Sequence, residues 1–225
     1  HISAADLGKD AKVPVLKLGD SGEVFYEIAM EMVNTIQANN AAGKHTVFIC
    51  PVGPVGQYPI FVRLVNRDRI SLANCWFINM DEYLTDEGEW VEKSHPLSFR
   101  GFMDRTVYTK IDPELLMPEE QRIFPDPHDP EHIQRVIETL GGVDVAFGGI
   151  GINGHLAFNE PQDELTADEF AQLPTRVLTI SRETRTTNAI GDYNGAIDAM
   201  PRKCVTIGMK QILSARKIRL GVFRD

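Results

Sequence analysis

The stretch Val143-Asp-Val-Ala-Phe-Gly-Gly-Ile-Gly-Ile-Asn-Gly-His-Leu-Ala-Phe-Asn-Glu-Pro161 decides how the rest of the chain is read. Val143–Phe147 is a short apolar run of the kind that forms a strand buried on both faces of a parallel sheet. It passes directly into a glycine-rich turn, Gly148 to Gly154. Upstream, Thr46–Cys50 repeats the pattern and runs into a Gly/Pro loop, and Cys75–Asn79 repeats it again before a polar loop. Between these strands lie helical patterns. Asp20 and Glu23 read as a capping box, and Phe25, Ile28, Ala29, Met32, Val33 and Ile36 then recur at helical spacing. Further helices are expected over Tyr58–Asn66, Ser98–Val107 and Pro130–Leu140, and further strands over Arg176–Ile180, Cys204–Ile207 and Ile218–Phe223. The four-proline stretch Pro118–Pro130 reads as a surface connection. Alternation of strand and helix argues for one α/β domain over residues 1–225: a mainly parallel, doubly wound, Rossmann-like sheet flanked by helices.

The 225 residues, 43% of them hydrophobic, suffice for one substantial core. Apolar runs fall far short of the roughly 20 residues that a membrane helix needs, so no membrane association is expected. The N-terminal His-Ile-Ser-Ala-Ala-Asp has neither a basic start nor an apolar run, so no secretion signal is expected. Without an initiator Met, the natural terminus is expected upstream. A net charge of −9, from 32 acidic and 23 basic residues, works against nucleic-acid binding. It leaves room for a small anion held by a few local donors. Cys50, Cys75 and Cys204 are widely spaced within apolar runs and read as small buried hydrophobes, which suits a reducing cytoplasm.

Open sheets of this kind bind ligands beyond the carboxyl ends of their strands. That rule selects Pro51–Gln57, Asn79–Pro96 and Gly148–Pro161. A glycine-rich turn alone is often only a tight connection, and a lone histidine is more often structural than catalytic. The pairing of His155 with Glu160 points further, because a carboxylate near an imidazole stabilises its protonated form. The spacing offers no convincing metal site.

Three segments together resemble the glucosamine-6-phosphate deaminase/isomerase family: Gly148–Pro161, Asn79-Met-Asp-Glu-Tyr83, and His95-Pro-Leu-Ser-Phe-Arg-Gly-Phe-Met103. The likeness runs from about Thr46 to the C-terminus. The related 6-phosphogluconolactonases tend to carry Asp-Glu-Arg where this chain has Asp81-Glu82-Tyr83, and lack the Phe-Asn-Glu-Pro ending. The resemblance implies a cofactor-free enzyme acting on a small sugar phosphate. It assigns Asp81 as the base that shuttles a proton between C1 and C2, as against a helix or turn cap. It assigns His155 to ring opening and Glu160 to orienting His155. Glu82 would stand behind the site and Tyr83 would close over the substrate. Gly53, Gly56 and Gln57 of the first loop, with Gly151 and Gly154 of the third, complete the substrate-contact candidates. Family members are often oligomeric, which raises a homo-oligomer, but no interface is legible here.

The chain also departs from the family. Asn153 stands where the family has Asp before Gly-His, so the imidazole loses a negative neighbour. Gly53-Pro-Val-Gly-Gln57 replaces a phosphate loop rich in N–H and hydroxyl donors, and Pro54 removes one donor. Ile190 falls where the family has an arginine, and the family's lysine would fall just past Asp225. Arg182, Arg185 and Arg224 are the substitutes at hand. A catalytically impaired sugar-phosphate-binding protein and a lactonase-type hydrolase therefore stay open as alternatives.

Overall fold

The computed structural model describes Ser3 and residues 6–223, so Arg224 lies outside the described residues. In chain order the elements are α1 (Ser21–Ala41), β1 (Thr46–Cys50), α2 (Gln57–Arg67), β2 (Cys75–Asn79), β3 (Asp81–Leu84), α3 (Phe99–Met103), β4 (Arg122–Ile123), α4 (His132–Thr139), β5 (Val145–Gly148), α5 (Ala167–Ala171), β6 (Arg176–Thr179), α6 (Arg182–Asp192), β7 (Lys203–Thr206), α7 (Met209–Leu213) and β8 (Lys217–Leu220). The central sheet has the order β4-β2-β1-β5-β8, with every pairing parallel.

The reason for two helical layers is visible in β1, where all five residues are buried. Phe48 and Cys50 pack into one core with Ile28, Met32 and Ile36 of α1 and Phe61 and Val65 of α2. Val47 and Ile49 point the other way, into a core with Ile133 and Ile137 of α4 and Ile212 of α7. Side chains alternate across a strand, so a continuous apolar run demands cover on both faces. At the start of α1 the capping is looser than expected. Asp20 accepts from the Glu23 N–H at 2.9 Å, but the Glu23 carboxylate reaches past the cap to the Gly19 N–H at 2.6 Å.

Two strands expected in the main sheet lie elsewhere. β6 and β7 join β3 in a separate antiparallel sheet of order β3-β7-β6. The physical reason sits at Met80. Only this residue separates β2 from β3, and a parallel partner would need a crossover of a dozen or more residues. The chain therefore swings out into a new sheet. Met80 joins the two sheets, donating to Cys50 O at 3.0 Å and accepting from Ile207 N at 2.7 Å. The stretch Asn79–Pro96, expected as a polar loop, thus begins with a strand.

Candidate active site

Asp81 stands at this junction, immediately beyond β2 and 7% exposed. It pairs with Thr206 across β3 and β7, and the Thr206 hydroxyl donates to Asp81 Oδ1. Burial pushes the Asp81 carboxyl up to about 7, and Glu82 adds to the rise. Hydrogen bonds from Thr206 and the Phe158 N–H hold it back. A carboxylic acid titrating near neutrality can take up a proton and return it.

His155 lies on the turn after β5. Gly151 N–H donates to His155 O at 2.9 Å, and Gly154, at φ +86°, closes the turn through Gly151 O at 3.0 Å. A methyl group at Gly151 would come within 2.1 Å of the imidazole, so only glycine leaves space for the ring there. The ring Nδ1 lies 2.6 Å from Asn153 Oδ1. An amide oxygen only accepts, so Nδ1 carries the proton and Nε2 keeps a lone pair in the neutral ring. Burial lowers the imidazole below its ordinary value, and the charge of Glu160 partly opposes this.

Glu160 does not orient the ring by hydrogen bonding, as the resemblance implied; Asn153 does. The Glu160 carboxylate is taken up by Ser181 N at 3.0 Å and by the hydroxyls of Ser181 and Thr184 at the start of α6. Burial alone would raise its titration point. Those hydrogen bonds, with His155 nearby, outweigh burial and leave the group below its ordinary value. Glu160 thus stays ionised and acts on His155 through its field.

Phe158 joins the two halves. Its N–H donates to Thr206 Oγ1 at 3.1 Å, and its ring lies nearly parallel to that of His155, with centroids 6.5 Å apart. The first loop also meets the glycine-rich turn, since a methyl at Gly149 would come within 3.3 Å of Gly53 O and Pro54 Cδ.

Several expected contacts go elsewhere. Glu82 is wholly buried and saturated, accepting from Ser98 Oγ, the N–H groups of Phe99 and Arg100, and Arg100 Nε at 2.9–3.1 Å. It anchors the start of α3 and offers no free oxygen to a ligand. Tyr83, 2% exposed, packs against Phe99 and Phe158, with Asn188 Nδ2 3.1 Å from its hydroxyl. It lies in a core with Leu97, Phe158 and Ile180. Gly56 presses its Cα against the Phe25 ring, so only its backbone polar atoms could meet a ligand. Gln57 is buried; its Nε2 donates to Pro54 O at 2.7 Å, and its Oε1 has no partner among the described residues. Arg185 Nη2 is spent on the carbonyls of Ile197 and Met200, whereas Arg182 and Ile190 face outwards on α6. Among the described residues, no group of three His, Cys, Asp or Glu side chains could hold a metal ion.

Sequence reasoning missed Thr206, Ser181 and Thr184. A Ser-x-x-Thr before a helix was the available signal for the last two; Thr206 had none.

No family model matches the chain. It is 31% identical over 193 residues to the glucosamine-6-phosphate deaminase of Porphyromonas gingivalis (strain ATCC 33277), covering 83% of this chain and 68% of that protein. To the Borrelia garinii subsp. bavariensis deaminase it is 30% identical over 174 residues, covering 75% and 59%. The chain therefore spans between 59% and 68% of these relatives' length. A solved monomeric glucosamine-6-phosphate deaminase of the NagB superfamily superposes with a TM-score of 0.77 at 25% identity, over 92% of this chain and 81% of that one. The 6-phosphogluconolactonase of Trypanosoma brucei, at 14% identity and a TM-score of 0.63, shares the fold, over 94% of this chain and 82% of that one. Identity of 31–32% sustained over 68% of the length of the Porphyromonas gingivalis deaminases shows that the chain belongs to the glucosamine-6-phosphate deaminase family.

Proposed function

We propose that this protein converts an amino-sugar phosphate, glucosamine 6-phosphate or a close relative, to the ketose phosphate with release of ammonia. The observation that carries the reading is Asp81, a carboxyl at the carboxyl end of a parallel strand and pushed up to about 7. Such a group takes the proton from C2 of the open-chain sugar and returns it to C1. His155, with Nδ1 held by Asn153, presents Nε2 to move the proton that opens the pyranose ring. The ionised Glu160 supports the charge that then develops on the imidazole. Water consumes the imine, and ammonia leaves.

A second reading, a pocket remodelled for another ligand, draws on the first loop. Pro54 offers no N–H, the buried Gln57 Oε1 is an acceptor without a partner among the described residues, and Arg185 commits Nη2 to the carbonyls of Ile197 and Met200. An acceptor there would repel phosphate. Three buried, free cysteines suit the reducing cytoplasm we propose as its location, and no described helix is long and apolar enough to cross a membrane. Assembly into a homo-oligomer belongs to the same proposal and is read out by light scattering.

Product analysis tests the reading. Glucosamine 6-phosphate should yield ammonia and ketose phosphate in equal amounts. Acid formed from 6-phosphogluconolactone would instead favour a hydrolase. Binding of sugar phosphates without any product would favour a sensor.

A further inference from the structure

Thr206 hydrogen-bonds both Asp81 and the loop that carries His155, and nothing in the signature segments singles it out. It is fully buried on β7. Its Oγ1 accepts from Phe158 N–H at 3.1 Å, donates to Asp81 Oδ1, and lies 3.4 Å from Ile207 O. A hydroxyl has one proton and two lone pairs. With one lone pair committed to Phe158, the proton can go to an ionised Asp81. When Oδ2 carries the proton, Oδ1 is the carbonyl oxygen of the acid and still accepts from the same hydroxyl.

We infer that Thr206 is a positioning residue for Asp81: its hydroxyl donates to Oδ1 whether the carboxyl is ionised or protonated, and leaves Oδ2 to exchange the substrate proton. A hydroxyl donating to one oxygen stabilises the charged form more than the acid, and so offsets part of the rise that burial imposes on a base that must hold a proton and give it back. The other titratable groups bearing on Asp81 are Glu82 on its own strand and Cys204 on β7. Neither offers a hydroxyl in reach. The inference rests on the proton-shuttle reading, but the carboxyl can be observed without turnover.

The test compares Thr206→Val with Thr206→Ser, each checked for folding by thermal melting, with Thr206→Ala replacing valine should that variant fail to fold. Carboxyl-¹³C NMR of the free protein follows the Asp81 titration directly. Removing a donor to the charged form should move that titration upward by about one pH unit, and serine should restore it. In the turnover assay the acidic limb of kcat/KM should move up by the same amount, with a loss on the order of 10-fold at pH 6 and KM little changed. An unmoved Asp81 titration in the folded valine or alanine variant overturns the inference, as does serine failing to rescue. If the titration moves but the wild type turns over no amino-sugar phosphate, the shuttle reading fails while the hold of Thr206 on Asp81 stands.

Discussion

A carboxyl that titrates near 7 inside the fold and at 3.8 outside it links the site to stability. The native state binds that proton more tightly than the unfolded chain does. Its contribution is therefore fully present below pH 3.8 and is lost as pH rises through about 7. Asp81→Asn removes the buried charge and keeps an oxygen for Thr206. The variant should melt higher than wild type at pH 8, by roughly 1–3 kcal/mol of stability, and the gain should shrink towards pH 5. A pH-independent difference would mean that Asp81 is not desolvated as the structure shows. Asn153 matters at the same scale, because an amide can fix the His155 tautomer but adds no charge. Support for an imidazolium then falls to Glu160 alone, whose oxygens are already engaged by Ser181 and Thr184. Asp81, His155 and Glu160 were legible from their motifs. The roles of Glu82 and Thr206 were not, because the partners that define them are 16–18 and 48–125 residues away in the chain.

At the scale of elements, the turn after β5 holds His155 by close approach of backbone to ring. Gly151→Ala should displace the imidazole, since its methyl would lie 2.1 Å from ring atoms. The turn is at the surface and the ring is partly exposed, so the ring can swing out with little cost to folding. The expected result is a loss on the order of 10²-fold in kcat with a melting temperature within a few degrees of wild type. Unchanged kcat would show that the ring position is unimportant. β1, β2 and β5 were legible because continuous apolar runs such as Thr46–Cys50 admit few other readings, whereas β4 was not: Arg122–Ile123 is a two-residue edge strand inside Pro118–Pro130, the stretch read as a surface connection. β3 was not: Asp81-Glu-Tyr-Leu84 opens with two carboxylates, and only partners distant in sequence make their burial tolerable. α6 was missed because Arg182-Glu-Thr-Arg-Thr-Thr-Asn carries almost no apolar periodicity, and Glu160 and Ser181 supply its start.

For the whole molecule, a parallel sheet with helices on both faces carries a small antiparallel sheet, and the site lies where they meet. Asp81 comes from the strand that leaves the first sheet for the second, and His155 from the turn beyond β5. At this junction Asp81 is the proposed proton shuttle of an amino-sugar phosphate deaminase. That role is tested most directly by ammonia release from glucosamine 6-phosphate between pH 5.5 and 8.5, wild type beside Asp81→Asn. Wild-type kcat/KM should rise through an acidic limb near 7, and folded Asp81→Asn should lose at least about 10²-fold in kcat at every pH. Turnover by Asp81→Asn at near the wild-type rate would contradict that role.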